Sequence, residues 1–250
     1  MDSTTSLQQT FESGNIALGT WSVITSPTSA EIMGKAGLDF LILDLEHGPL
    51  NLETAQDMIR ALEGTECAPL LRVPTNEEWW ILRVLETGCA GVAVPQITSV
   101  DAAKKAVNAV RYHPKGERGF SPFTRSAGYT AEDSDEIAQE KNESTFCMLM
   151  IEGEDGIADL DKIINISGVD AIYIGTYDLS QSLGYPGEPT HPDVVEHVES
   201  IVERVRNENI AVGCLAESTS QIEQWKDIGI QLIPYKADCA ILYEAIEDLQ

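Results

Sequence analysis

Short apolar runs alternate with amphipathic stretches along the whole chain, and this alternation constrains the fold more than any other feature. The runs are IALGTWSV (16–23), FLILDLE (40–46), APLLRV (68–73), GVAVPQ (91–96), TFCMLMIE (145–152), DAIYIG (170–175), IAVGCLA (210–216) and IQLIPY (230–235). Most are apolar at consecutive positions, which buries both faces of a strand, as in a parallel sheet. Helix signals lie between them. Asn51 opens a helical stretch that closes near Gly64, and Ser99 caps another with Asp101 in its first turn. A third runs from Pro192 to Val205, apolar at Val194, Val195, Val198, Ile201, Val202 and Val205. Eight strand-then-helix units in 250 residues predict a (β/α)8 TIM barrel, a single domain over 1–250. A doubly wound open sheet is the competing architecture, but no G-x-G-x-x-G follows the first run.

Charge narrows the function classes. Sixteen Lys and Arg against 41 Asp and Glu leave a net charge of −25, which repels phosphate backbones and anionic lipid. No nucleic acid and no membrane partner is therefore expected. An anionic substrate would need a local positive source, such as an arginine or a metal ion. The start, MDSTTSLQQTFESG, is polar without a basic flank, so no signal peptide is expected. Cys67, Cys89, Cys147, Cys214 and Cys239 show no C-x-x-C spacing and read as buried thiols of a cytoplasmic protein. One connection is long. From about Tyr112 to Ser144 it holds Lys115, Arg118 and Arg125, close to Arg111, ahead of an acidic stretch. Such a segment is usually a functional loop or lid, and its cations could draw an anion; a surface loop with scattered charge is the alternative. Trp79 and Trp80 are expected in the core, with subunit contact as the alternative.

In a parallel barrel the loops after the strands converge on one mouth, where polar residues are active-site candidates. The second run ends in D-L-E-H-G-P and brings Asp44, Glu46 and His47 there. The third brings Arg72, the fifth Glu152, and the sixth, I-Y-I-G-T-Y-D-L-S, brings Asp178. Glu152 and Asp178 are hard oxygen donors on neighbouring strand ends. Two carboxylates, completed by waters and substrate oxygens, suit Mg²⁺ or Mn²⁺. His47 can act as a general base near neutral pH, and Arg72 can stabilise an oxyanion.

D-L-E-H-G-P, the L-R-V-P strand, R-Y-x-P-x-G-x-R-G (111–119), Ile151-Glu152 and I-G-x-x-D-L-S occur in that order over nearly the whole chain. In these motifs the sequence resembles the HpcH/HpaI family of class II pyruvate aldolases. The resemblance implies a modified (β/α)8 barrel that exchanges a terminal helix between subunits and assembles as a hexamer, a trimer of dimers. It implies reversible cleavage of a 4-hydroxy-2-oxo acid into pyruvate, or a close oxo-acid, and an aldehyde, with Mg²⁺, Mn²⁺ or Co²⁺. By matching position it makes Glu152 and Asp178 the metal ligands, Arg72 the group that stabilises the enolate, and His47 the base at the C4 hydroxyl. Glu86 stands where the family has an aspartate that acts on this histidine from a neighbouring subunit. Tyr177 would offer its backbone N–H to the substrate carboxylate.

Two positions depart from the family pattern. Met150 stands where the family commonly has a substrate-contacting glutamine, and Gly175-Thr176-Tyr177-Asp178 stands where it reads G-P-x-D. The aldehyde partner is therefore not carried over. Three competing readings remain. A Schiff-base aldolase would use Lys236, which follows the eighth run. An oxo-acid condensing enzyme or CoA-thioester lyase could use the same scaffold, and an oligomeric barrel could bind oxo-acids without catalysis.

Overall fold

The computed structural model describes residues 3–206, 208 and 210–250. Eight parallel strands close into a barrel in sequence order. They are β1 (Ala17–Ser22), β2 (Phe40–Asp44), β3 (Ala68–Arg72), β4 (Gly91–Val94), β5 (Phe146–Ile151), β6 (Ala171–Ile174), β7 (Ala211–Cys214) and β8 (Leu232–Ala237). All eight apolar runs become strands. Ala17 of β1 and Gly213 of β7 both pair with Leu232 of β8, which joins the two ends of the sheet.

The reason the runs are continuously apolar is visible in their two faces. On β2, Phe40 and Ile42 point into the barrel, while Leu41 and Leu43 point out towards the helices. Phe146, Met148 and Met150 of β5 fill the interior in the same way, opposite Cys147, Leu149 and Ile151 outside. The close approach of neighbouring strands also requires a small residue: a Cβ on Gly91 would run into the backbone carbonyl and Cβ of Phe146.

Helices α1 (Ser3–Glu12), α2 (Pro27–Lys35), α3 (Leu52–Leu62), α4 (Glu78–Glu86), α5 (Val100–Val110) and α6 (Ser134–Ser144) lie in the first part of the chain. They are followed by α7 (Glu154–Ile163), α8 (Thr176–Ser182), α9 (Pro192–Val205), α10 (Thr219–Ile228) and α11 (Asp238–Glu247). The caps are those read from sequence: Asn51 accepts from the Thr54 N–H and Ser99 from the Ala102 N–H. The polar start proves to be α1, whose Leu7 and Phe11 pack on the inner cluster and close the amino-terminal end of the barrel. The ring of Phe11 lies 6.0 Å from that of Phe146.

The long connection after α5 corrects an expectation. It joins the lower end of α5 to the start of β5, so it lies at the amino-terminal end and is no lid over this barrel's mouth. Its acidic part is α6. Its arginines are engaged there: Arg111 with Asp170 and the carbonyls of Thr145 and Gly168, Arg118 with Glu86, and Arg125 with Glu63. Trp80 packs on the outer core as expected. Trp79, one residue earlier and therefore on another helix face, is 51% exposed and stacks on Trp80. Cys67, Cys147 and Cys214 are buried free thiols as expected, whereas Cys89 is half-buried and Cys239, in the first turn of α11, is exposed. Among the described residues no helix is long and apolar enough to cross a membrane.

Candidate active site

The inward alternation of the strands carries straight into the loops above them. Asp44 ends the inner row of β2, Arg72 that of β3, and Glu152 continues that of β5 by one step. Arg72 is the pivot. Its Nε and Nη2 donate to Asp44 at 2.9 and 2.5 Å, and its Nη1 lies 3.2 Å from Glu46 Oε2. The guanidinium sits over the indole of Trp21, 4.3 Å from the ring centre. The Trp21 Nε1 in turn donates to the hydroxyl of Tyr173 at 3.0 Å.

Burial by itself would raise the Asp44 pKa. The hydrogen bonds and charge of Arg72, with the N–H groups of Glu46 and His47, overcome that and hold it below the usual carboxylate value. Its contribution to stability is present above the ordinary carboxylate range and is lost as the pH falls through the lowered value. Burial likewise works against the Arg72 charge, and Asp44 more than restores it. The pair is thus a fixed fork, pre-set before any substrate arrives.

Among the described residues, Glu152 and Asp178 have no such ion pair, whereas Glu46 shares Arg72 with Asp44. Burial raises the pKa of Glu152; a hydrogen bond from the Gln96 N–H at 2.6 Å opposes this, while the charges of Asp178 and Glu46 add to it. Glu46 is also raised, by burial first, against the pull of Arg72. Glu152 and Asp178 line the same two adjoining cavities, of about 550 and 300 Å³, together with His47. Among the described residues, Arg72 is the single lysine or arginine lining either cavity. Gly175 leaves the room for this arrangement, since a Cβ there would stand 2.7 Å from Glu152 Cγ. An array of carboxylates with so little opposing charge fits a bound cation. Among the described residues no group of three or more His, Cys, Asp or Glu is set to hold an ion alone. Substrate and water oxygens would have to complete the shell around a two-carboxylate site, as Mg²⁺ commonly requires.

His47 is exposed at the rim, with Nε2 3.9 Å from Glu46 Oε2. Met150 and Tyr177 also line the inner cavity, and the Tyr177 hydroxyl donates to Glu217, which pushes its pKa, already raised by burial, to about 12. Glu86 is not brought to this mouth. It ends α4 near the amino-terminal side, paired with the buried Arg118. Lys236 is no free nucleophile: its ammonium group is held by Glu244 of α11.

Two contributors carry no role in the sequence reading. Glu46 is bridged to Arg72 and accepts from Gln96 Nε2 at 3.3 Å. Gln96 itself holds φ at 57°, the left-handed region, which aims its N–H at Glu152. A side chain in a P-Q-I-T loop gives no local sign of that bend.

The family model described as HpcH/HpaI aldolase/citrate lyase matches residues 17–240. The chain is 31% identical over 236 residues to the hydroxypyruvate/pyruvate aldolase of Roseobacter denitrificans, covering 94% of this chain and 91% of that one. It is 33% identical over 234 residues to the 5-keto-4-deoxy-D-glucarate aldolase of Escherichia coli, covering 94% and 91%. Among solved structures, an HpcH/HpaI aldolase/citrate lyase family protein from Burkholderia cenocepacia superposes with a TM-score of 0.92 at 29% identity, over 98% of this chain and 97% of that one.

Proposed function

The chain belongs to the HpcH/HpaI aldolase/citrate lyase family and is a carbon–carbon lyase of the aldolase type; from that premise we propose that it reversibly cleaves a 4-hydroxy-2-oxo acid into pyruvate, or a close oxo-acid, and an aldehyde, with a divalent metal ion. The observation that carries this reading is the pairing at one mouth of a fixed Arg72–Asp44 fork with the unneutralised carboxylates Glu152 and Asp178. Glu152 and Asp178 would hold Mg²⁺, Mn²⁺ or Co²⁺, which when bound supplies Lewis acidity at the keto oxygen of the oxo-acid.

The chain's own groups account for the remaining chemistry. Breaking the C3–C4 bond leaves negative charge on the C2 oxygen of the oxo-acid half. Arg72 offers a fixed positive charge for it, held in place by Asp44 and Trp21 so that little reorganisation is needed. His47, at the rim where the aldehyde half lies, takes the C4 hydroxyl proton on Nε2, directly or through water. As the C3–C4 electrons move to the oxo-acid half, that hydroxyl becomes the aldehyde carbonyl. In the reverse direction C3 attacks the aldehyde and His47 returns the proton. The N–H of Tyr177, in the first turn of α8 and without an intrahelical acceptor, would receive the substrate carboxylate.

Glu86 lies away from its own mouth; the role on His47 that the resemblance implies would be played from a neighbouring copy in a hexamer. The apolar side chains of α11, with Leu242, Tyr243 and Ile246 more than half exposed, support exchange of that helix between subunits. A CoA-thioester reaction has less support, because among the described residues no lysine or arginine besides Arg72 lines the mouth to receive the phosphates of that carrier.

Metal removal tests the reading. After dialysis against EDTA, pyruvate release from a generic 4-hydroxy-2-oxo acid, followed with lactate dehydrogenase, is expected to stop. Added Mg²⁺, Mn²⁺ or Co²⁺ is expected to restore it. Undiminished turnover in the stripped protein would contradict the scheme.

A further inference from the structure

The inner wall of the site carries a phenol that the reaction scheme leaves idle. Tyr173 is 2% exposed, on the inner face of β6. Its hydroxyl oxygen accepts from the Trp21 indole, so its own proton must be directed elsewhere. The structure gives that proton no acceptor among the described residues. Met150, its register partner on β5, presents only a weakly accepting thioether, and across β7 the facing position is Gly213.

Gly213 shows that the phenol's position is built into the fold. A Cβ there would come within 2.8 Å of Tyr173 Cδ2 and 3.1 Å of Leu232 Cδ2. The strand therefore gives up a side chain inside the barrel to seat this ring. The ring stands edge-on to Trp21, with centres 5.5 Å apart, and it lines the same cavity as Arg72, Glu152 and Asp178. A buried hydroxyl proton without a partner costs stability in the free protein, and a ligand oxygen removes that cost. Burial also pushes the Tyr173 pKa far up, so the group stays a neutral donor across the working pH range.

We propose that the Tyr173 hydroxyl donates a hydrogen bond to an oxygen of the bound oxo-acid, and that Trp21 and Gly213 orient it for that task. The assignment rests on the oxo-acid reading of the site. It makes Tyr173 a substrate-binding residue for the oxo-acid half and leaves the aldehyde half, bound towards the rim and His47, untouched. On the inner wall, where Met150 offers no donor, the hydroxyl arrives from the adjacent strand.

Tyr173→Phe removes one oxygen and keeps the ring contact with Trp21. Calorimetric titration of pyruvate into the Mg²⁺-loaded protein is expected to show affinity about 3- to 10-fold weaker in the variant. In the aldol-addition direction, KM for pyruvate is expected to rise by the same factor while KM for the aldehyde stays unchanged; Tm shifts with the lost acceptor of the Trp21 indole, so the split between the two KM values is the readout. Equal pyruvate affinity in the two proteins would overturn the assignment, as would parallel rises in both KM values, which mark a purely structural role. If the unmodified protein binds no oxo-acid, the aldol reading fails and this assignment fails with it.

Discussion

Glu152→Gln is expected to lower turnover by about a thousandfold or more while leaving the fold intact or slightly more stable. Both halves of this expectation come from the same environment. The carboxylate is largely buried, disfavoured as a charge by that burial and by Asp178 and Glu46, and anchored by the Gln96 N–H. An amide keeps the shape and accepts the same hydrogen bond, and it relieves the repulsion between the carboxylates. What it loses is a charged oxygen donor, and a Lewis acid missing from the transition state removes several kcal/mol, about tenfold in rate for each 1.4 kcal/mol. Asp178→Asn is expected to behave alike in turnover. Steady-state rates with saturating Mg²⁺ and a thermal melt of each metal-free variant check the two halves separately. A variant that loses activity only because it unfolds would contradict the account.

Arg72→Lys is expected to cost about a hundredfold to a thousandfold in kcat, the range seen when a preorganised oxyanion donor is removed. The substitution retains the positive charge. It loses the planar fork, which gives Asp44 two bonds, at 2.9 and 2.5 Å, and leaves a third nitrogen facing Glu46. A lysine ammonium is a point charge on a flexible stem and cannot hold both carboxylate oxygens in that geometry. Arg72→Ala is the poorer probe. It leaves the Asp44 carboxylate, 2% exposed, without its counter-charge, a loss of about 3–5 kcal/mol when a buried pair is broken from one side. Comparing kcat with urea stability for the lysine variant separates oxyanion stabilisation from folding. A kcat within threefold of the unmodified enzyme would remove Arg72 from the mechanism.

Much of this molecule is legible in its sequence because a parallel barrel writes itself as consecutive apolar positions. FLILD and FCMLMI are buried on both faces, as the strands of a parallel sheet covered by helices must be; the even strand-then-helix repeat and the missing G-x-G-x-x-G then favour the barrel over a doubly wound sheet. The strand-end rule then reaches Asp44, Arg72 and Glu152 directly, since each continues the inner row of its strand. It reaches Asp178 through the short turn after β6. The rule fails where position depends on the path of the backbone between elements. Nothing local distinguishes a connection at the mouth from one at the opposite end. The cations of 111–125 therefore look available for a substrate, although the count of elements places them below the barrel. The left-handed turn at Gln96 is set by tertiary contacts and leaves no mark on neighbouring residue types. Glu86 shows the same limit from the other side: its spacing from Arg72 matches the family motif, but its own chain pairs it with Arg118. Tyr173 was open to detection. A lone phenol at an inward position of an otherwise aliphatic strand, I-Y-I, is a polar group that needs a partner inside the barrel.

The central claim is that Glu152 and Asp178 hold one divalent ion at the barrel mouth. Anomalous diffraction from crystals soaked in Mn²⁺ and oxalate reads this directly. The account predicts a single strong Mn²⁺ peak per chain within about 2.0–2.4 Å of one carboxylate oxygen of each residue, with oxalate filling the neighbouring positions. A Mn²⁺ peak bound elsewhere, or held by only one of the two side chains, would contradict it.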